Sequence, residues 1–170
     1  ALSSLDHAIR LAPCQLPALR KRAILLAQLD HLDAALQDFQ RIVELAPTDF
    51  DAVGNCGIIQ LKKQNYAEAA RLLAHCNEMS PARPEVVRSL ANALRGSGDA
   101  AGALRLLGKL LEGSPSDDAT RTDYALTLLA QQRFHEAFQH YQQVASRSPL
   151  DQWALTGLYL AASAGGDTAF

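Results

Sequence analysis

Five prolines stand at one interval. Pro13, Pro47, Pro81, Pro115 and Pro149 are spaced 34 residues apart. Proline lacks the N–H that a continuing helix needs, and its ring clashes with the preceding turn. A chain whose helix breaks return at a fixed interval is made of repeated units. Blocks drawn to that interval, 16–49, 50–83, 84–117 and 118–151, bring further columns into line. Ala35, Ala69, Ala103 and Ala137 share one position, and Ala23, Gly57, Ala91 and Ala125 a second. Phe39, Leu73, Leu107 and Tyr141 share a third, and Ile42, Cys76, Leu110 and Val144 a fourth. Each column keeps one character, small or bulky and apolar.

Every block reads as two helices. In the first block they are expected near 16–29 and 33–46. Apolar Leu19, Ala23, Leu26 and Leu29 mark one, and Ala35, Leu36, Phe39, Ile42, Val43 and Ala46 mark the other, both at a period of 3.6. Between them lie the turn pairs Asp30-His31, Gln64-Asn65, Gly98-Asp99 and Gln132-Arg133. After each proline come Thr48-Asp49, Ala82-Arg83, Ser116-Asp117 and Leu150-Asp151, where a polar side chain can cap the next helix. The small columns are expected where paired helices approach too closely for a large side chain, with the bulky columns filling the space beside them.

Composition narrows the function classes. Aromatic residues make up 6% and hydrophobic residues 48% of the chain, a balance that suits packed helices. The 16 basic and 18 acidic residues leave a net charge of -2, which is no footprint for nucleic acid or anionic lipid. Apolar runs such as AILLAQL and YALTLLA are too short to cross a bilayer. Cys14, Cys56 and Cys76 are too few and too scattered for a disulfide scaffold and read as small apolar fillers. An odd cysteine favours a reducing compartment, and the location is left between cytoplasm and periplasm.

No catalytic set emerges. His135 and His140 do not share a face well, and His75 and Cys76 are adjacent and point apart. His31 sits in a turn, and His7 stands apart from the rest. None of the histidines and cysteines falls at a metal-ligand spacing. Gly96-Ser97-Gly98 has no following lysine to make a phosphate cradle. Asp117 and Asp118 read as a helix start, where negative charge is favoured, and with Asp123 make no convincing acid–base pair. The segment is therefore expected to be non-enzymatic, with no cofactor and no metal.

The ends continue the pattern. Residues 5–12, LDHAIRLA, precede Pro13 as the tail of a second helix would, so 1–15 reads as a partial unit. Residues 152–162, QWALTGLYLAA, read as the first helix of a further unit within 152–170, with Gly165, Gly166 and Asp167 as its turn. The expectation is one array over 1–170, a segment of a longer protein. Its open ends could self-associate through Trp153, Leu158 and Tyr159.

These motifs resemble the tetratricopeptide repeat family. Gly57, Ala69 and Pro81 carry the resemblance in one unit, and Tyr124, Ala125, Phe134, Ala137, Tyr141 and Pro149 in another. The family's tryptophan near the start of the unit is absent from all four blocks, and Ala100 stands where Tyr66 and Phe134 supply an aromatic. The resemblance implies an all-α fold, a right-handed superhelical solenoid of antiparallel helix pairs. It implies first helices lining a concave groove that binds a peptide or partner protein, and the charge balance and short apolar runs add the expectation of no nucleic acid and no membrane insertion. Groove positions carried over from the family are Arg20, Ile24 and Gln28; Asp51, Asn55, Ile58 and Lys62; Arg88, Ser89, Asn92 and Arg95; and Thr122, Asp123, Leu126 and Leu129. Arg88, Asn92 and Arg95 share one helix face, where two guanidinium groups suit a ligand with an acidic group. Glu85 or Asp123 would compete for them. Asp123 also stands where a carboxylate clamp of the family would need asparagine. The column Asn55, Ser89, Asp123, Gly157 is no asparagine ladder. An alternative role is an accessory, substrate-positioning domain of a larger enzyme or export assembly, as in bacterial members of the family.

Overall fold

The computed structural model describes residues 2–81 and 83–166, and among them every regular element is an α-helix. The helices are α1 (Leu2–Leu11), α2 (Leu16–Gln28), α3 (Leu32–Leu45), α4 (Phe50–Lys62), α5 (Tyr66–Met79), α6 (Pro84–Gly96), α7 (Ala100–Gly113), α8 (Asp118–Ala130), α9 (Phe134–Arg147) and α10 (Gln152–Gly165). They form two compact units, Ala1–Val86 and Val87–Phe170. In the first, α1 through α5 pack each against the next; in the second, α7 through α10 do so, and α10 also touches α8.

Each short turn between paired helices is closed in the same way. Asp30, Gln64, Gly98 and Gln132, the first members of the four turn pairs, all have positive φ, at 62°, 61°, 94° and 58°. The next residue reaches back to a carbonyl five residues earlier. His31 N–H donates to Leu26, Asn65 to Gln60, Asp99 to Leu94 and Arg133 to Leu128, at 2.8–3.0 Å. This left-handed stop satisfies carbonyls that the helix end would leave orphaned. Only Gly98 adopts the conformation without a Cβ penalty.

The proline-marked breaks work differently. Ala46, Ser80, Ser114 and Ser148 each precede a proline, and their φ values of -143°, -145°, -142° and -131° are the extended backbone that a following proline imposes. Asp49, Asp117 and Asp151 then cap α4, α8 and α10, accepting from Ala52 N–H at 3.0 Å, Thr120 N–H at 3.1 Å and Ala154 N–H at 3.1 Å. Arg83 occupies the same column and has no acceptor to offer; its guanidinium lies 4.3 Å from the Phe50 ring centroid instead.

The core follows the columns. Ala35, Ala69, Ala103 and Ala137 have no solvent exposure, and Phe39, Leu73, Leu107 and Tyr141 are almost as fully buried. The fit is tight: a Cβ added to Gly57 would lie 2.7 Å from Leu73 Cγ. Leu110 is only half-buried, so the fourth column is less uniform than its chemistry suggests. Cys56 and Cys76 are buried fillers, burial pushing the Cys56 thiol up to about 11, but Cys14 is exposed.

Two polar clusters lie within the packing. In the first unit Arg22 donates to both oxygens of Asp38 at 2.7 Å and to Asp6 at 2.8 Å, tying α2 to α3 and α1. Asp38 is buried, and its hydrogen bonds raise the Arg22 pKa against the opposing effect of burial. In the second unit the Tyr124 and His140 rings stand 4.8 Å apart, and Arg121 lies 3.3 Å from His140 Nδ1. Burial first, and the Arg121 charge second, hold the His140 pKa below 6.5.

Two outcomes test this description. Gly98→Ala should cost about 1–2 kcal/mol in urea unfolding, because nothing crowds the site and only the left-handed backbone resists. Gln64→Gly and Gln132→Gly should be neutral or stabilising by up to about 1 kcal/mol. For His140, the folded state disfavours the proton that the unfolded chain takes up near pH 6.5, so its contribution is present above that pH and is lost as pH falls through the lowered folded value. His140→Gln should flatten the acid side of the stability profile.

Candidate functional site

In the first unit α2 and α4 present their uncovered faces side by side. Ile24 and Ile58 are 42% and 41% exposed, large apolar side chains left in water. They border a hollow of about 260 Å³ completed by Ala27, Gln28, Leu32, Asn55, Ile59 and Lys62. Asn55 donates its Nδ2 to the Asp51 carbonyl at 2.7 Å, within its own helix, which orients the amide at the rim. Lys62 is exposed beside it. Of the residues assigned to the groove in this unit, Ile24, Gln28, Asn55, Ile58 and Lys62 come together in this one hollow.

Arg20 is engaged elsewhere. It donates to Asp49, the α4 cap, and lies 3.9 Å from Asp51. Burial would push the Asp49 carboxyl up, but the bonds from Arg20 and Ala52 N–H outweigh it and hold the group below the usual carboxylate range.

In the second unit the arginine stripe is internally paired. Arg88 Nε donates to Asp123 Oδ2 at 2.6 Å, both side chains about one-third exposed. Arg95 donates to Asn92 Oδ1 at 2.7 Å. Asp117 lies close enough for the Arg88 charge to matter: burial raises its pKa, whereas the Thr120 hydroxyl and N–H, with Arg88, bring it below the ordinary value. Arg88 is thus part of an ion pair rather than a free guanidinium, the competition from Asp123 that the sequence admits. Leu126, one helical turn beyond Thr122 on α8, is 39% exposed.

The residues assigned to self-association divide. Trp153 is 80% and Tyr159 70% exposed, but Leu158 packs against the core of the second unit because the α10 register turns it inward. Gly166 ends α10 in the left-handed conformation, at φ 81°, as its place in a turn requires; Asp167 lies outside the described residues.

Other hollows offer less. One of about 390 Å³ between α3 and α5 contains Glu68 and Arg71, which already satisfy each other through two bonds of 2.9 and 2.6 Å. One of about 350 Å³ lies between the start of α9 and the end of α10, over Phe134 and Phe138. Among the described residues no group of three or more His, Cys, Asp and Glu side chains is placed to hold a metal ion. No helix among them is long and apolar enough to cross a membrane.

Comparison with known proteins bears on the fold and the family. Two family models described as tetratricopeptide repeat match residues 17–76 and 60–119. Cellulose synthase 2 operon protein C of Komagataeibacter xylinus is 27% identical over 158 residues; the match covers 82% of this chain and 12% of that protein, so the chain spans a small part of its relative. A MamA fragment from Desulfovibrio magneticus RS-1 superposes with a TM-score of 0.81 at 20% identity, over 89% of this chain and 85% of that one. YrrB, a TPR protein with an unusual peptide-binding site, superposes with a TM-score of 0.76 at 18% identity, over 99% of this chain and 87% of that one. The paired helices, the small buried columns and the two family matches together make this chain a member of the tetratricopeptide repeat family.

Proposed function

We propose that this chain is a non-catalytic scaffold, cytoplasmic or periplasmic, that holds a peptide or partner protein against its first-helix faces. It is read as repeat units 16–49, 50–83, 84–117 and 118–151, with a partial unit 1–15 and a partial or capping unit 152–170. The observation that carries this is the hollow between α2 and α4, where Ile24 and Ile58 remain in water although the same helices bury their other faces. Apolar side chains flanked by an amide and a cation form a site for a ligand residue that is apolar at one end and polar or acidic at the other. Gln28 and Asn55 supply bonds to main chain, and Lys62 supplies charge. Arg95 and Asn92 offer the corresponding polar contact in the second unit, with Arg88 and Asp123 as a paired neighbour. Arg20 belongs to the rim, where its charge is shared with Asp49.

A second reading has one observation in its favour. The similar Komagataeibacter xylinus protein is far longer than the match, and its name places it in a cellulose synthase operon. On that reading the array is an accessory domain that positions a substrate or partner for a larger assembly, and α10, through Trp153 and Tyr159, provides self-association.

Selection of a random twelve-residue peptide library on the purified chain tests the scaffold role. Ile58→Ser should weaken the selected peptides about tenfold, the loss of about 1.4 kcal/mol expected from removing most of one partly buried apolar side chain. Its melting temperature should stay within a few degrees of the parent. Peptides unaffected by Ile58→Ser, Asn55→Ala and Lys62→Ala would remove this hollow from the binding surface.

A further inference from the structure

Tyr141 and Gly157 depart together from the repeat pattern. In the two columns they occupy, the preceding pairs read Phe39 with Asn55, Leu73 with Ser89 and Leu107 with Asp123. In sequence each pair combines an apolar second-helix position with a polar first-helix position of the next repeat. The last pair inverts this, a phenol on α9 and no side chain on α10.

The geometry explains the inversion. A Cβ built on Gly157 would lie 2.3 Å from Tyr141 Cζ and 2.4 and 2.6 Å from the two Cε atoms. The hydroxyl end of the ring therefore fills the volume that a side chain at 157 would take. Tyr141 is 2% exposed, yet no described residue gives its hydroxyl a hydrogen bond. Among the described residues the fully buried side-chain polar atoms left without a partner are Asn77 Oδ1 and Arg121 Nε and not this hydroxyl, so its oxygen keeps a small exposure to solvent. Burial pushes its pKa up to about 12, with Arg95 and Asp123 acting in opposite directions from α6 and α8. The phenol is thus a neutral O–H within electrostatic reach of Arg95 and Asp123.

We propose that the Tyr141 hydroxyl, delivered through the gap left by Gly157, is a binding group on the first-helix face of the second unit. There it donates to a carboxylate or carbonyl oxygen of a bound acidic peptide next to Arg95. It replaces the polar side chain that the same column supplies as Asn55, Ser89 or Asp123. A second-helix residue so becomes part of the recognition surface. The inference rests on the scaffold reading and names a specificity residue and an acidic peptide for it. With Arg88 neutralised by Asp123, the Arg95 charge is the one that sets the preference for an anion.

The probe is the tightest Asp- or Glu-containing peptide from the random library, and its amide counterpart. Tyr141→Phe should melt with the parent, since the hydroxyl bonds nothing in the free chain, and should weaken the acidic peptide about five- to tenfold. The amide counterpart should lose less. Tyr141→Leu combined with Gly157→Ser, the pairing of Leu73 with Ser89, should restore most of the affinity by supplying a hydroxyl from α10. If Arg95→Ala weakens the peptide and Tyr141→Phe does not, the hydroxyl has no binding role and the scaffold reading stands. A clear drop in the Tyr141→Phe melting temperature makes the group structural and overturns the proposal. If no selected peptide responds to Asn92→Ala, Arg95→Ala or Tyr141→Phe, this face binds no peptide and the inference falls with it.

Discussion

The architecture depends on how closely neighbouring helices approach. At the columns of Ala35 and Ala23 the separation is set by residues with one carbon of side chain or none, and all the alanines there are buried. Gly57 shows how little room remains, since one methyl would press into Leu73. The large residues of the third column fill the volume left on either side, so small and large positions are two halves of one packing rule. With that contact made, the first helices are held by their inner faces, and their opposite faces remain for other uses.

Charge serves the fold before it serves any ligand. Arg22, Arg20 and Arg88 each reach an aspartate on another helix, and Arg147 does the same with Asp118. Such pairs contribute little when exposed, but Asp38 is buried, and removing Arg22 would strand its carboxylate at a cost of about 3–5 kcal/mol, whereas Arg22 without Asp38 would keep Asp6. On the proposed scaffold reading, recognition falls to a smaller set: the apolar edges Ile24 and Ile58, the amides Gln28 and Asn55, and the cations Lys62 and Arg95.

Helix pairing, turns and small columns were legible because they repeat; a periodic constraint leaves the same residue type at the same interval. Helix limits differ from those expected by a residue or so, as fraying ends allow. Contacts made once were harder to read. Nothing in the spacing of Asp6, Arg22 and Asp38 announces a three-way cluster, because its members lie on three helices whose rotations emerge only on packing. Cysteine chemistry alone does not separate Cys14, left in solvent by the turn between α1 and α2, from its buried counterparts, and a place near the chain end does not show that the α10 register turns Leu158 inward. The Gly157 column was visible as a missing polar residue. The phenol that fills its place was not, since it comes from a different column.

The cap of α4 carries a further consequence. One carboxylate, Asp49, holds the first turn of that helix through Ala52 N–H and also answers the guanidinium of Arg20 on the preceding first helix. The two roles divide the carboxylate, Oδ2 taking Arg20 and Oδ1 taking the Ala52 amide. On the proposed scaffold reading, an anion drawn to Arg20 would compete with Asp49, which would regain hydration and keep its bond from the Ala52 amide. One side chain thus couples the charge on the preceding first helix to the start of α4, so a change at Arg20 reaches a helix cap with no intervening contact.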